Sequence, residues 1–233
     1  MAENNLLVSK LAHVLSEINP AEIDNYIFTA QSSIDRRASL EKTFEYQIQS
    51  LEYHGVGENI IHLLVNQKEK VIERAYDSKV TSGNIPFLPV LPCGYRSIYD
   101  QIASIKFGNR PGYCYLKNES IHHHYQVPQE PYYIFDVDPG ERFLDCAPIK
   151  TRTVIENHGR SALTIEEALS LAFHNNILEH YAIDAAGSYV DNPERIPHLY
   201  PTISRAGLGW CYNAGHKEWG IPNCSTREVM RNE

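Results

Sequence analysis

The chain reads as an α+β protein: a helical N-terminal segment over 1–80, followed by a mixed sheet-and-helix domain over 81–233. Three observations predict this. Apolar residues recur at helical spacing through the first eighty positions. At Thr81-Ser82-Gly83-Asn84 that periodicity stops, and proline and aromatic residues become frequent. Beyond it, strand-like and helical runs are segregated rather than strictly alternating, the pattern of α+β organisation.

Taken in order, Leu7, Leu11, Val14, Leu15 and Ile18 form one apolar helical stripe. Asn19-Pro20 then offers an N-cap with proline at the first helical position, where its missing N–H costs nothing. Leu40, Phe44, Gln47, Ile48 and Leu51 predict a further helix ending at His54-Gly55, and Ile61, Leu64, Val65, Ile72 and Ala75 predict another. The last two make an antiparallel hairpin over 36–78.

In the second part, Phe87 to Pro92 is a short extended piece whose prolines suit a sheet edge. Ser97 to Phe107 reads as a helix. Tyr132-Tyr133-Ile134-Phe135-Asp136-Val137 is the strongest strand, rich in aromatic and β-branched residues. Asp138-Pro139-Gly140 is a turn, so 141–145 is expected to return as a partner strand. Thr164-Ile165-Glu166-Glu167 is a capping box that starts a helix to about Asn175. Residues 181–184 and those from His198 onward read as extended.

Composition narrows the function classes. The formal net charge is −8, and twelve acidic against eight basic residues place half of it in the first eighty positions. Neither half is basic, so duplex nucleic acid and anionic membrane are poor partners. No apolar run reaches the ~18 residues of a membrane span. The opening Met1–Asn5 has no basic, apolar leader, and the five cysteines include no CxxC pair, so a cytoplasmic protein with reduced thiols is expected.

The chemistry is concentrated in residues 207–224, which hold both tryptophans, two of the five cysteines and four of the thirteen glycines. Tryptophan supplies a rigid apolar face and glycine allows close backbone approach, a mixture suited to a shaped pocket. Cys211 and His216 are the candidate nucleophile and base, the imidazole drawing the thiol proton. Inert packing of Cys211 is the commoner outcome. A zinc site from Cys211, His216 and Cys224 matches no ligand spacing, so no metal is expected. Cys93 is a rival thiol ahead of a helix. The run His122-His123-His124 cannot converge on one ion from a strand, because neighbours point to opposite faces. Asp136, Asp138 and Asp145 read as turn residues before they read as cation ligands. Arg195, Arg205 and Arg227 bring guanidinium groups suited to an anion or to stacking on tryptophan. Phosphate loops, nucleophile elbows and zinc-protease motifs are absent from the chain.

A set of segments recurs together: Tyr132 to Gly140, Gly159-Arg160-Ser161-Ala162-Leu163-Thr164-Ile165-Glu166-Glu167-Ala168, Ala186-Gly187-Ser188, Ile196-Pro197, Leu208-Gly209-Trp210-Cys211, His216 and Trp219-Gly220. In order and spacing it resembles DUF5701, a bacterial family of uncharacterised proteins, over roughly residues 84–227. The resemblance implies a bacterial, cytoplasmic setting and no assigned activity. Ser188, in one of these segments, is a further candidate binding residue. The chain departs from the pattern at Tyr189, where the family carries arginine, and around His198-Leu199-Tyr200, where it carries tryptophan.

Three readings fit these residues. The first is a binding protein without covalent chemistry, whose pocket, walled by Trp210, Tyr212, His216 and Trp219 with Arg205 and Ser188, takes a small anionic or planar ligand. The second is a transferase- or hydrolase-type enzyme using Cys211 and His216. The third is an interaction protein forming a homo-oligomer through the helical hairpin at 36–78. The cofactor is left unassigned.

Overall fold

This computed structural model describes residues 20–105, 107–213 and 218–231, with side chains from residue 34 onward. The helix expected over Leu7–Ile18 and the candidate base His216 lie outside the described residues. The chain divides into two compact units, Met1–Lys42 and Thr43–Glu233. The boundary falls inside one helix, and the second unit holds every sheet found among the described residues.

That helix, α1 (Pro20–Tyr53), is one continuous element of 34 residues where the sequence suggested two. Nothing after Pro20 interrupts it, since no glycine or proline occurs from 21 to 53. It stops at Gly55, whose φ of +72° reverses the chain while Val56 N–H reaches back to Leu51 O and Gly55 N–H to Glu52 O. The expected second arm of the hairpin is split into α2 (Glu58–Val65) and α3 (Lys68–Asp77). Gln67 causes the break: its side-chain amide donates to Leu63 O and Pro131 O, taking the carbonyl that a continuing helix would use. Ile60, Ile61 and Leu64 of α2 and Val71, Ile72 and Ala75 of α3 are buried.

The sheet domain is α+β, as its segregated pattern predicts. Strand β1 (Ile85–Val90) lies at the edge of a three-stranded antiparallel sheet, where two prolines can be accommodated. The later strands are β2 (Tyr113–Cys114), β3 (Ile121–His123) and β4 (Tyr132–Val137). All six residues of β4 are buried, in the middle of that sheet. Its second partner is not the stretch 141–145. Asp138 accepts the Gly140 N–H and pairs with Arg142 at 2.6 Å, which winds Glu141–Phe143 into a 3₁₀ turn. The vacant edge of β4 is filled instead by β12 (Thr226–Glu228), from the far end of the chain.

Helix α4 (Ile98–Ala103), capped by Ser97, is shorter than the span to Phe107 that the sequence suggested. Helix α5 (Pro148–Asn157) comes next, then β5 (Ser161–Ala162) and α6 (Ile165–His174). Glu167 Oε2 accepts the Thr164 N–H at 2.8 Å, the reciprocal half of the capping box. Strands β6 (Ala182–Asp184), β7 (Ser188–Val190), β8 (Arg195–Pro201), β9 (Ala206–Tyr212), β10 (Trp219–Gly220) and β11 (Asn223–Cys224) complete the domain. Five of the strands form one mixed sheet in the order β10-β6-β8-β9-β2. Ile183, Leu199 and Leu208 point from one face of that sheet into the main core, which also holds Ala168, Leu169 and Leu171 of α6. Strand alternation sends Asp184, His198 and Gly209 to the opposite face. Among the described residues no helix is long and apolar enough to cross a membrane.

Candidate functional site

Strands β8 and β9 pair over their full length, with Ile196 opposite Cys211, His198 opposite Gly209 and Tyr200 opposite Gly207. Asp184 of β6 stands opposite His198, and Tyr113 of β2 stands opposite Gly207. Trp219 of β10 stands opposite Ala182, two residues before Asp184. By the period of two along each strand, one face of the sheet therefore carries Trp219, Asp184, His198, Tyr200, Tyr113 and Cys211. Gly207 and Gly209 give this face bare backbone between its rings. A Cβ on Gly207 would lie 2.6 Å from the Tyr200 ring, so only glycine lets that ring cross β9 there.

The rings form a row. The centroid of Trp219 is 4.3 Å from that of His198, and His198 stacks on Tyr200 at 5.3 Å with 14° between planes. Tyr200 meets Tyr113 edge-on, their hydroxyls 3.0 Å apart, and Tyr113 meets Tyr115 at 4.7 Å. The Arg205 guanidinium lies 4.1 Å from the Tyr113 centroid and closes the row. Beside it opens a cleft of about 510 Å³ lined by Tyr115, His198, Tyr200, Gly209, Trp210 and Trp219.

Under the Trp219 end of the row, one buried carboxylate gathers two partners. His198 Nδ1 lies 2.8 Å from Asp184 Oδ1, and the Cys211 thiol donates to the same oxygen at 3.4 Å. Asp184 and His198 are buried, and Cys211 is half-buried against Ile196 and Ile221. Burial pushes the Cys211 thiol well above its ordinary value, and the negative charge and hydrogen bond of Asp184 push it further. A catalytic thiol needs the opposite shift, toward thiolate.

A family of unknown function, DUF5701, matches residues 47–230. The chain belongs to DUF5701. The match reaches further toward the N-terminus than the resemblance over 84–227, and takes in the end of α1 together with α2 and α3. No curated protein and no solved structure matches the chain.

Other candidate residues of this DUF5701 chain are dispersed. Trp210 and Trp219 both line the cleft. Tyr212, 59% exposed, meets Trp210 edge-on at 5.1 Å, and Arg195 stacks over Trp210 at 4.6 Å. Ser188 is placed apart from them, fully buried on β7. Its hydroxyl bonds His123 Nδ1 at 2.7 Å and accepts the Ile165 N–H that opens α6. Cys224 is buried in the main core, where burial pushes its thiol up to about 12. The Cys93 thiol donates to Glu166 at 3.1 Å, and burial with that carboxylate raises it well above its ordinary value. Arg227 is taken up by Glu167, 2.6 Å away, rather than by the cleft. Asp136 is held by the Thr81 N–H, Asn84 and Arg160, and Asp138 by its turn.

Sequence reasoning does not single out Asp184, His198, Tyr200, Tyr113 or Tyr115 as site residues. One signal is available for Asp184, a lone carboxylate inside the apolar run Ala182-Ile183-Asp184-Ala185-Ala186. A carboxylate in such a run must be paired, coordinated or exposed.

Proposed function

We propose that this DUF5701 protein binds a small planar, anionic ligand in the glycine-floored cleft beside the aromatic row, without covalent chemistry at Cys211. The observation that carries the reading is the unbroken sequence of rings from Trp219 through His198 and Tyr200 to Tyr113, next to bare backbone at Gly209. Rigid rings offer a flat ligand a large stacking surface at small entropic cost. Arg205 at the end of the row supplies the guanidinium that an anionic group needs. We take the setting to be the bacterial cytoplasm, where the five free cysteines stay reduced.

The enzyme reading draws less support, because burial and the adjoining Asp184 carboxylate raise the Cys211 thiol away from the thiolate form that a nucleophile needs. Self-association through the helices also draws less, since Ile60, Ile61, Leu64, Val71 and Ile72 of α2 and α3 are already buried. With a net charge of −8, duplex nucleic acid and anionic membrane stay outside the proposal.

Both tryptophans line the cleft, so intrinsic fluorescence reports on it directly. The test titrates the full chain with the aromatic anionic dye anilinonaphthalene sulfonate, whose naphthalene ring is flat, and follows energy transfer from tryptophan. Saturable transfer is expected, weakened several-fold by Arg205→Gln and by Gly209→Leu, which fills the floor. Affinity unchanged in both variants would remove the cleft from consideration.

A further inference from the structure

The Asp184 cluster carries a second inference, independent of what occupies the cleft. Three donors of different chemistry, a carboxylate, an imidazole and a thiol, come from β6, β8 and β9, three neighbouring strands of one sheet. One ligand atom from each lies within 4.8 Å of the others. We propose that Asp184, His198 and Cys211 bind one divalent transition-metal ion of the zinc class.

Three features favour an ion over a purely structural hydrogen-bond pair. First, both donors converge on a single carboxylate oxygen, Oδ1. The comparable cluster elsewhere in the domain does not converge. There Glu166 turns Oε1 to Cys93 and Oε2 to His123, 3.5 Å away, so its two partners take different oxygens of the carboxylate. Second, two of the three spacings are close to those of a coordination shell, and the third, sulfur to nitrogen, is within 4.8 Å. Zinc bonds of about 2.0–2.3 Å put ligand atoms about 3.3–3.6 Å apart in a tetrahedron. The sulfur-to-oxygen distance is already 3.4 Å, and the nitrogen-to-oxygen distance of 2.8 Å opens to that value by a small side-chain rotation. Third, the ligand set suits the ion's charge. Thiolate, carboxylate and neutral imidazole together carry two negative charges, which a divalent cation neutralises in a site whose Asp184 is 1% exposed.

On binding, the Cys211 thiol loses its proton to solvent, and the proton that His198 Nδ1 donates to Asp184 leaves that nitrogen, so that Nδ1 coordinates and the neutral ring carries its one proton on Nε2. Mixed sulfur, nitrogen and oxygen donors select zinc, cobalt or a similar borderline ion over magnesium or calcium. Three protein ligands leave a coordination position for water or for an anionic group. Of the three donors, His198 also lines the cleft.

The experiment is cobalt titration of the chelator-treated full chain, read by absorption. A near-ultraviolet thiolate charge-transfer band saturating at one equivalent is expected, absent in Cys211→Ser. Asp184→Asn and His198→Ala are expected to weaken binding roughly tenfold or more. The double variant His122→Ala/His124→Ala controls for ions held by the histidine run and should keep the band. No saturable band, a band surviving Cys211→Ser, or a band lost with the histidine run overturns the proposal. Wild-type chain supplies a measurement that needs no refolded variant: zinc should protect Cys211 from alkylation at least tenfold while leaving Cys93 and Cys146 unprotected. Absence of protection overturns it equally. Neither measurement depends on dye binding, so this site and the cleft stand or fall separately.

Discussion

Gly207 lies beneath the ring of Tyr200, its register partner across β8 and β9, so closely that a methyl group there would sit 2.6 Å from two ring carbons. Two positions along, Gly209 would place the same group 3.6 Å from that ring, an ordinary contact. The two glycines therefore predict opposite responses to one methyl. Gly207→Ala has to displace a ring in the aromatic row and should cost about 1–3 kcal/mol. Gly209→Ala should be neutral or stabilising, because glycine inside a strand is roughly 0.5–1 kcal/mol worse than alanine. Urea midpoints of the two variants decide it; equal losses would mean the ring moves freely.

His174 predicts a pH dependence. Its two ring nitrogens are buried with no hydrogen-bond partner among the described residues, and burial, with the His54 charge adding, pushes its pKa down to about 3. The unfolded value is about 6.5, so the folded value is depressed and the unfolded chain takes up the proton first. The stability this residue contributes is complete above about pH 6.5 and is lost as pH falls from there toward 3. At pH 5 the loss is about 2 kcal/mol. His174→Phe keeps a ring in that space and should flatten the fall in urea midpoint between pH 7 and 5. A residual slope is expected from His124, which burial and Arg152 push down to about 4. An undiminished slope in the variant would assign the acid sensitivity to other groups.

Cys211 predicts slow chemistry in the metal-free chain. With its thiol raised by burial and by Asp184, alkylation at pH 8 should run at least tenfold below that of a free thiol. Asp184→Asn removes the negative charge, lowers the thiol's pKa and should accelerate labelling several-fold. Mass mapping of all five cysteines provides the comparison. If Cys211 were the fastest of them, the enzyme reading would displace the binding one.

The Glu167–Arg227 pair predicts the largest stability effect. Glu167 is fully buried and accepts from Arg227 Nε at 2.6 Å, from its NH2 nitrogen at 3.0 Å and from the Tyr132 hydroxyl at 2.9 Å. Arg227→Met leaves that carboxylate uncompensated and should cost roughly 3–5 kcal/mol in denaturant unfolding. Adding Glu167→Gln should recover part of the loss, because the buried charge is then gone as well. If the losses of the two single variants simply added in the double variant, the two residues would not be a coupled unit.

Much of the fold is written locally. Thr164 and Glu167 announce the start of α6 because a cap needs only residues three apart. The run Tyr132–Val137 announces a buried strand by residue type alone. The breaks that local pattern misplaces depend on distant partners. Gln67 splits the second helical arm by reaching Pro131, and the edge of β4 goes to Thr226–Glu228 rather than to its sequence neighbours.

From the order of the amino acids alone come the α+β class, the family, and the concentration of glycine and tryptophan that makes the floor and wall of the cleft. Composition and short-range spacing are enough for these, because propensities, caps and patterning act over a few residues. What Cys211 touches is a matter of three-dimensional arrangement. Asp184 is 27 residues away from it and His198 is 13 away, and neither spacing matches a ligand template. The three meet because β6, β8 and β9 are neighbours in one sheet with a register that puts them on the same face. Strand order and register are set by which apolar faces can be buried together across the whole domain. No local signal in the chain encodes that choice.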